Sequence, residues 1–335
     1  MSVSVDDNGV KHLYTPVSGG ESWIAKQGVS WWNDPRVLLG GHVNNIIRNS
    51  DGTYGSDGND EARISITTSS GYNSSKIVKD FSKLDIDKGG RGYMQDPNDW
   101  KNTEWGFYFN VSNWSSADQI TLYLRGGRHY NPPSVSCEGF SYKIDIDFSN
   151  GKTRFAKESW HVHYDFTTWA NTLNLGSLKN KWIGMKVVCY NVKIGDATAV
   201  NAELYIDPDG LDSSFKPANN WQKADSFQDS GGFGSGGNQC GGKSDQIGNW
   251  GGPLAAFRWD NISSGGIKFM YLHVFEIDPL NIGGGGGGVP PPIFTPSCPN
   301  SAEDPVPTSQ VAIISKHRFN LGDFDNPEHC AFPGE

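Results

Sequence analysis

Apolar positions along this chain alternate with polar ones. Trp105, Phe107, Phe109 and Val111 fall on one side of a run whose other side carries Tyr108 and Asn110. Ile120, Leu122 and Leu124 alternate with Thr121, Tyr123 and Arg125; Tyr142, Ile144, Ile146 and Phe148 alternate with Lys143, Asp145 and Asp147. A period of two marks a half-buried strand, because successive side chains point to opposite faces. Similar runs lie at 62–68, 153–164, 182–190, 202–206, 255–259 and 267–277. About ten strands with no amphipathic helix between them predict an all-β fold, an antiparallel β-sandwich.

The clearest break in this pattern is Gly283 to Gly288, six glycines in a row, followed by Val289 and Pro290 to Pro292. Glycines make a flexible tether and prolines a stiff spacer. The expected organisation is a sandwich domain over 1–280, a linker over 281–292 and a short Pro-rich C-terminal extension over 293–335. So short a piece cannot bury a core of its own. It is expected to dock, to be stapled by Cys298 and Cys330, or to lend its apolar run at 310–315 to a neighbouring molecule in self-association.

Composition sharpens the class. The 42 Gly and 18 Pro exceed average usage and suit turns, while 12 Trp, 12 Tyr and 17 Phe exclude a disordered chain. Net charge is −9 and no basic tract occurs, which argues against nucleic acid as a partner. No apolar run approaches the ~18 residues of a membrane-spanning helix. The opening residues, Met1 to Asp7, lack the pattern of a secretion signal, so the chain is either cytosolic or the trimmed form of an exported protein. Cys137 and Cys240 sit in Gly-, Ser- and Pro-rich stretches, as a disulfide pair does, and Cys189 sits in an apolar run, as a buried thiol does. These loop cysteines and the aromatic, polar composition favour an extracellular or cell-surface protein.

The polar faces of the strands are unusual. Tyr108, Tyr123, Arg125, Lys143 and Asp145 replace the Thr, Ser and Glu of a merely solvated face. Such a face is either a groove that grips something flat and hydroxylated or a cross-strand ladder that stabilises the sheet.

Over roughly 60–280 the chain resembles the concanavalin A-like jelly rolls, and among them polysaccharide lyases of the alginate and glucuronan type. Arg63 on an early strand, the run from Tyr123 through Arg125, Arg128 and His129 to Tyr130, the run from Arg154 through Lys157, His161 and His163 to Tyr164, and a closing strand around Tyr271 and His273 carry the resemblance. The lyase signature strands are not present as such; Ala62-Arg63-Ile64-Ser65 and Trp160-His161-Val162-His163 echo parts of them. The resemblance implies a carbohydrate partner, with no organic cofactor.

β-Elimination at a uronate needs a cation to neutralise the carboxylate, a base for the proton beside it and an acid for the leaving oxygen. The candidate catalytic residues are His161, His129 and Tyr123. The candidate substrate-binding residues are Arg63, Arg125, Arg128, Lys143, Lys157 and Tyr271. Strand parity places Arg125 beside Tyr123, and Lys157 beside His161. Basic residues gathered within an acidic chain point to an acidic polysaccharide. Hydrolysis is less well served, because the Glu-x-Asp-x-x-Glu strand of the fold's hydrolases is absent, although Asp145 and Asp147 could form an acid/base pair. The spacing of His161 and His163 would also suit a metal. An acidic loop, with Asp51, Asp57 and Asp60, suggests structural calcium. The alternative is a non-catalytic carbohydrate-binding or surface-structural protein whose extension mediates assembly.

Overall fold

A computed structural model describes residues 4–58, 60–73, 81–83, 99–114, 119–126, 137 and 139–279, all within one unit, Met1–Gly286. Arg128, His129, Cys298, Cys330, the glycine tether and the C-terminal extension lie outside the described residues.

The strands are β1 (Thr15–Pro16), β2 (Ser22–Ile24), β3 (Val37–Gly41), β4 (Ile46–Arg48), β5 (Tyr54–Ser56), β6 (Asp60–Thr67), β7 (Thr103–Val111) and β8 (Gln119–Gly126), then β9 (Ser141–Asp147), β10 (Thr153–Trp160), β11 (His163–Phe166), β12 (Trp182–Ile194), β13 (Ala197–Asp207), β14 (Gln222–Asp229), β15 (Leu254–Ile262) and β16 (Ile267–Asp278). They form two antiparallel sheets. The first runs β4-β5-β16-β7-β12-β13-β14, with β1 and β2 also paired to β16; the second runs β3-β6-β15-β8-β9-β10-β11. The chain changes sheet between β6 and β7, between β7 and β8, and between β15 and β16, so the central strands β7 and β16 face β8 and β15. This is an antiparallel jelly-roll sandwich: the period-two runs predict the antiparallel sandwich, and the family resemblance implies the jelly roll.

The core lies between the inner faces. Trp105, Phe107, Phe109 and Val111 meet Ile120, Leu122, Leu124, Ile144 and Phe257 there, and the rings of Phe107 and Phe257 lie 4.6 Å apart across the two sheets. Close packing of this kind tolerates few polar atoms. Cys137 and Cys240 form the expected disulfide, and Cys189 is a buried free thiol.

The run at 153–164 is not one strand. It divides into β10 and β11, a hairpin with a bulge between Glu158 and Trp160. His161 and His163 therefore do not share a face. His161 turns back to Glu158, while His163 stacks on Trp160 and reaches Ser235. Strand β14, with Lys223, Asp225 and Gln228 among its residues, has too few apolar positions to declare itself.

The outer faces differ. On the first sheet, Leu13 and Tyr14 pack on Val188, Tyr190 and Tyr205, and their backbone amides donate to Glu104. The N-terminal segment thus lies across that face. The outer face of the second sheet carries four of the residues that the sequence singles out, Arg63, Tyr123, Lys143 and His161.

Candidate functional site on the second sheet

Register sorts that outer face into rows. One row crosses Gly40, Arg63, Arg258, Thr121, Asp145 and Arg154. The next crosses Ser65, Ala256, Tyr123, Lys143, Ala156 and Phe166. Beyond it Ser141, Glu158 and Tyr164 lie abreast. Each strand contributes every second residue, as the pleat requires.

Lys143 is the centre of the second row. Its ammonium lies 4.5 Å from the Tyr123 ring and 4.0 Å from the Tyr164 ring. Its charge is answered by Glu158, whose Oε2 is 2.7 Å away. Burial brings the Lys143 pKa down to about 8, despite the opposing pull of Glu158. The other Glu158 oxygen, Oε1, lies 2.6 Å from His161 Nδ1, and the Tyr164 hydroxyl lies 3.3 Å from the same nitrogen. A ring that donates from Nδ1 to Glu158 turns Nε2 away from that carboxylate. Burial first, and then Glu158, hold the Tyr164 phenol well above its usual range. Burial also raises Tyr123, with Arg258 and Arg63 pulling the other way. Both phenols therefore keep their protons at neutral pH and can donate them.

The first row is a chain of paired charges. Arg154 Nε donates to Asp145 Oδ2 at 2.7 Å, Thr121 donates to Asp145 Oδ1 at 2.7 Å, and Arg258 Nη2 donates to Asp260 at 2.7 Å. The Arg63 guanidinium passes beside Gly40, where an added Cβ would come within 3.4 Å of it.

Of the residues the sequence singles out, Tyr123, Lys143, His161 and Arg63 share this face. Three do not. Arg125 is turned inward: β8 holds one residue more than β15 between Tyr123 and Gly126, and Arg125 takes φ 58° at that bulge. Its guanidinium donates to Asn191 on the opposite sheet and to the Gly248 carbonyl. Lys157 is also on the inner side, fully buried, with Nζ 2.8 Å from Asp229. The same carboxylate accepts from the Tyr142 hydroxyl at 2.6 Å. Tyr271 belongs to the first sheet, where its hydroxyl donates to the Phe215 carbonyl. A bulge changes the face of a strand midway, and parity counted along the sequence cannot detect it.

Of the acidic loop's carboxylates, Asp51 and Asp57 each have partners of their own. Asp51 pairs with Lys268 at 2.7 Å, which with Thr53 holds its pKa near 2. Asp57 accepts from the amides of Asn44 and Asn45. The side chain of Asp60 is outside the described set. Among the described residues no group of three or more His, Cys, Asp or Glu could hold a metal, so the calcium expectation finds no fitting donor set there.

Sequence reasoning left Glu158, Arg154 and Arg258 out of the site. The alternation of Ala256, Arg258 and Asp260 against Ala255, Phe257 and Trp259 was a usable signal for Arg258. Glu158 had none, because its role depends on a hairpin that folds His161 and Tyr164 back onto it.

No protein-family model matches the chain, and no curated protein matches it. Solved structures of similar fold include the mannobiose- and calcium-bound exoplasmic/lumenal domain of VIP36, with TM-score 0.40 and 12% identity over 76% of this chain and 87% of that one. Another is the carbohydrate-binding module CBM66 from Bacillus subtilis, with TM-score 0.37 and 9% identity over 72% and 97%. A third is the Bacillus licheniformis β-glucanase, with TM-score 0.36 and 10% identity over 77% and 99%.

Proposed function

We propose that this is an exported protein that binds a carbohydrate with acidic units on the outer face of the second sheet. The observation that carries the reading is Lys143 held between the Tyr123 and Tyr164 rings, with Arg63 and Arg258 in the neighbouring row. Aromatic rings present apolar faces to the C–H faces of sugars, and flanking cations answer a carboxylate. The disulfide between Cys137 and Cys240 fits an oxidising compartment. Affinity electrophoresis through gels containing alginate, glucuronan or pectate tests the reading. Retardation by at least one of them that weakens with salt supports it, and unaltered migration in all three contradicts it.

A second reading, turnover, is favoured by the hydrogen bond between Glu158 and His161. In it Glu158 orients the ring, His161 Nε2 removes the proton beside a uronate carboxylate, and Lys143 stabilises the resulting enolate-like charge. Tyr123 or Tyr164 then delivers a proton to the departing glycosidic oxygen as the C4–O bond breaks and a C4–C5 double bond forms. Ultraviolet absorbance of the unsaturated product separates a lyase from a binding protein. Growth of that absorbance, abolished by His161→Ala, marks catalysis; retention without it marks a binding module.

A further inference from the structure

At the edge of the second sheet the aromatic row continues to the surface. Tyr164 lies 6.0 Å, ring to ring, from Phe166, and beyond Phe166 come Arg154 and Trp169. The Arg154 guanidinium sits 3.9 Å from the Phe166 ring and 4.3 Å from the Trp169 ring. The order along the face is therefore ring, cation, ring at Tyr123, Lys143 and Tyr164, then ring, cation, ring at Phe166, Arg154 and Trp169. The two halves differ in exposure. Tyr123 is 6% and Lys143 5% exposed, whereas Phe166 is 45% and Trp169 38% exposed.

They differ in charge as well. Arg154 is answered by Asp145 and also donates to Gln119 at 3.2 Å, so the outer half is close to neutral. Its guanidinium spaces and holds the rings. The backbone beneath them is fixed too. Thr167 N donates to the Phe155 carbonyl at 2.9 Å, Phe155 N donates to Thr167 Oγ1 at 2.9 Å, and Ala170 and Thr153 exchange two hydrogen bonds. Two large rings are thus held rigid in water. A stacking partner then loses little conformational freedom on the protein side.

We propose that Phe166 and Trp169 form a neutral stacking subsite for a second sugar unit of the bound polymer, next to the unit held at Lys143. The inference rests on the carbohydrate-binding reading above. Two exposed rings amid Thr167, Thr168 and Asn171 are far smaller than the ~800 Å² a stable protein interface buries on each side, and their size matches a pyranose. Continuity with the buried row makes the occupant a chain that extends past the edge strand.

The test is affinity electrophoresis with alginate, glucuronan and pectate on the full-length protein, on Phe166→Ala/Trp169→Ala and on Trp169→Phe. The double variant should keep the wild-type melting temperature and lose affinity by roughly tenfold, the effect of removing two stacked rings. Trp169→Phe should retain most of the affinity. Equal retardation of wild type and double variant overturns the subsite and leaves the parent reading intact. No retardation of the wild type overturns both. Sedimentation showing that the wild type self-associates and the double variant does not would assign the rings to a second copy of the chain instead, and would also overturn the subsite.

Discussion

Lys143 Nζ lies 2.7 Å from Glu158 Oε2, and both side chains are almost wholly buried on the outer face of the second sheet. Breaking such a pair strands a charge, which costs about 3–5 kcal/mol, whereas removing both partners costs much less. Glu158→Gln should lower the unfolding free energy by that amount in urea titrations. Lys143→Met/Glu158→Gln should recover a good part of it. Single-variant losses of under about 1 kcal/mol would show that the pair is solvated rather than buried.

The depressed Lys143 pKa makes two opposite pH responses. The ordinary lysine value is 10.5 and the folded value is about 8, so the unfolded chain binds more protons between those pH values. Lys143 therefore contributes rising stability as pH increases from 8 towards 10. Over the same interval the side chain loses its charge, so retention by an acidic polysaccharide should weaken through pH 8. Lys143→Met should flatten both profiles. Retention that stays level through pH 9 in the wild type would remove Lys143 from the binding role.

Removing the Cys137–Cys240 bridge should destabilise the fold substantially. The bridge closes a loop over a sequence separation of 103 residues, and cross-links of that span typically contribute about 2–5 kcal/mol. Cys137→Ser/Cys240→Ser should unfold at distinctly lower urea concentration. Cys189, buried with its thiol pKa raised by burial, should react with a thiol reagent only after unfolding.

Acid should act at the first sheet. His12, in the N-terminal segment, and His273, beneath that segment, have pKa values pushed below 6.5 by burial; Lys186 lowers both further, while Glu104 opposes the shift of His12. A histidine that is neutral when folded binds more protons when unfolded, so its contribution is lost as pH falls below about 6.5. Asp6, raised by burial, opposes this in part. Melting temperature should fall between pH 7 and 5, and His273→Gln should fall less over that range than the wild type.

Most of the fold was legible because the apolar alternation of β7 and β9 survives from end to end, and that of β15 as far as Trp259. Trp105, Phe107 and Phe109 are inward and Lys143 and Asp145 outward, as period-two reading requires. The site was legible only where the pleat is regular. Arg125 and Tyr271 were misplaced because β8 and β16 each hold an extra residue against a neighbour, and the strand of Tyr271 also belongs to the other sheet; Lys157 follows the regular pleat to the inner face with Phe155, and only its grouping with His161 fails, at the bulge after Glu158. Arg154 could be read as part of a basic run, but its clamp between Phe166 and Trp169 depends on the return of residues 166–170 along β10, and no local pattern encodes that.

An acidic polysaccharide bound to the outer face of the second sheet should protect the strands beneath it. Amide hydrogen exchange, measured with and without alginate, glucuronan and pectate, tests it most directly. At least one polymer should slow exchange in β8, β9 and the β10–β11 hairpin through Ala170, and leave β12 and β13 of the first sheet unchanged. Exchange that no polymer slows in those strands, or protection confined to the first sheet, would contradict the assignment.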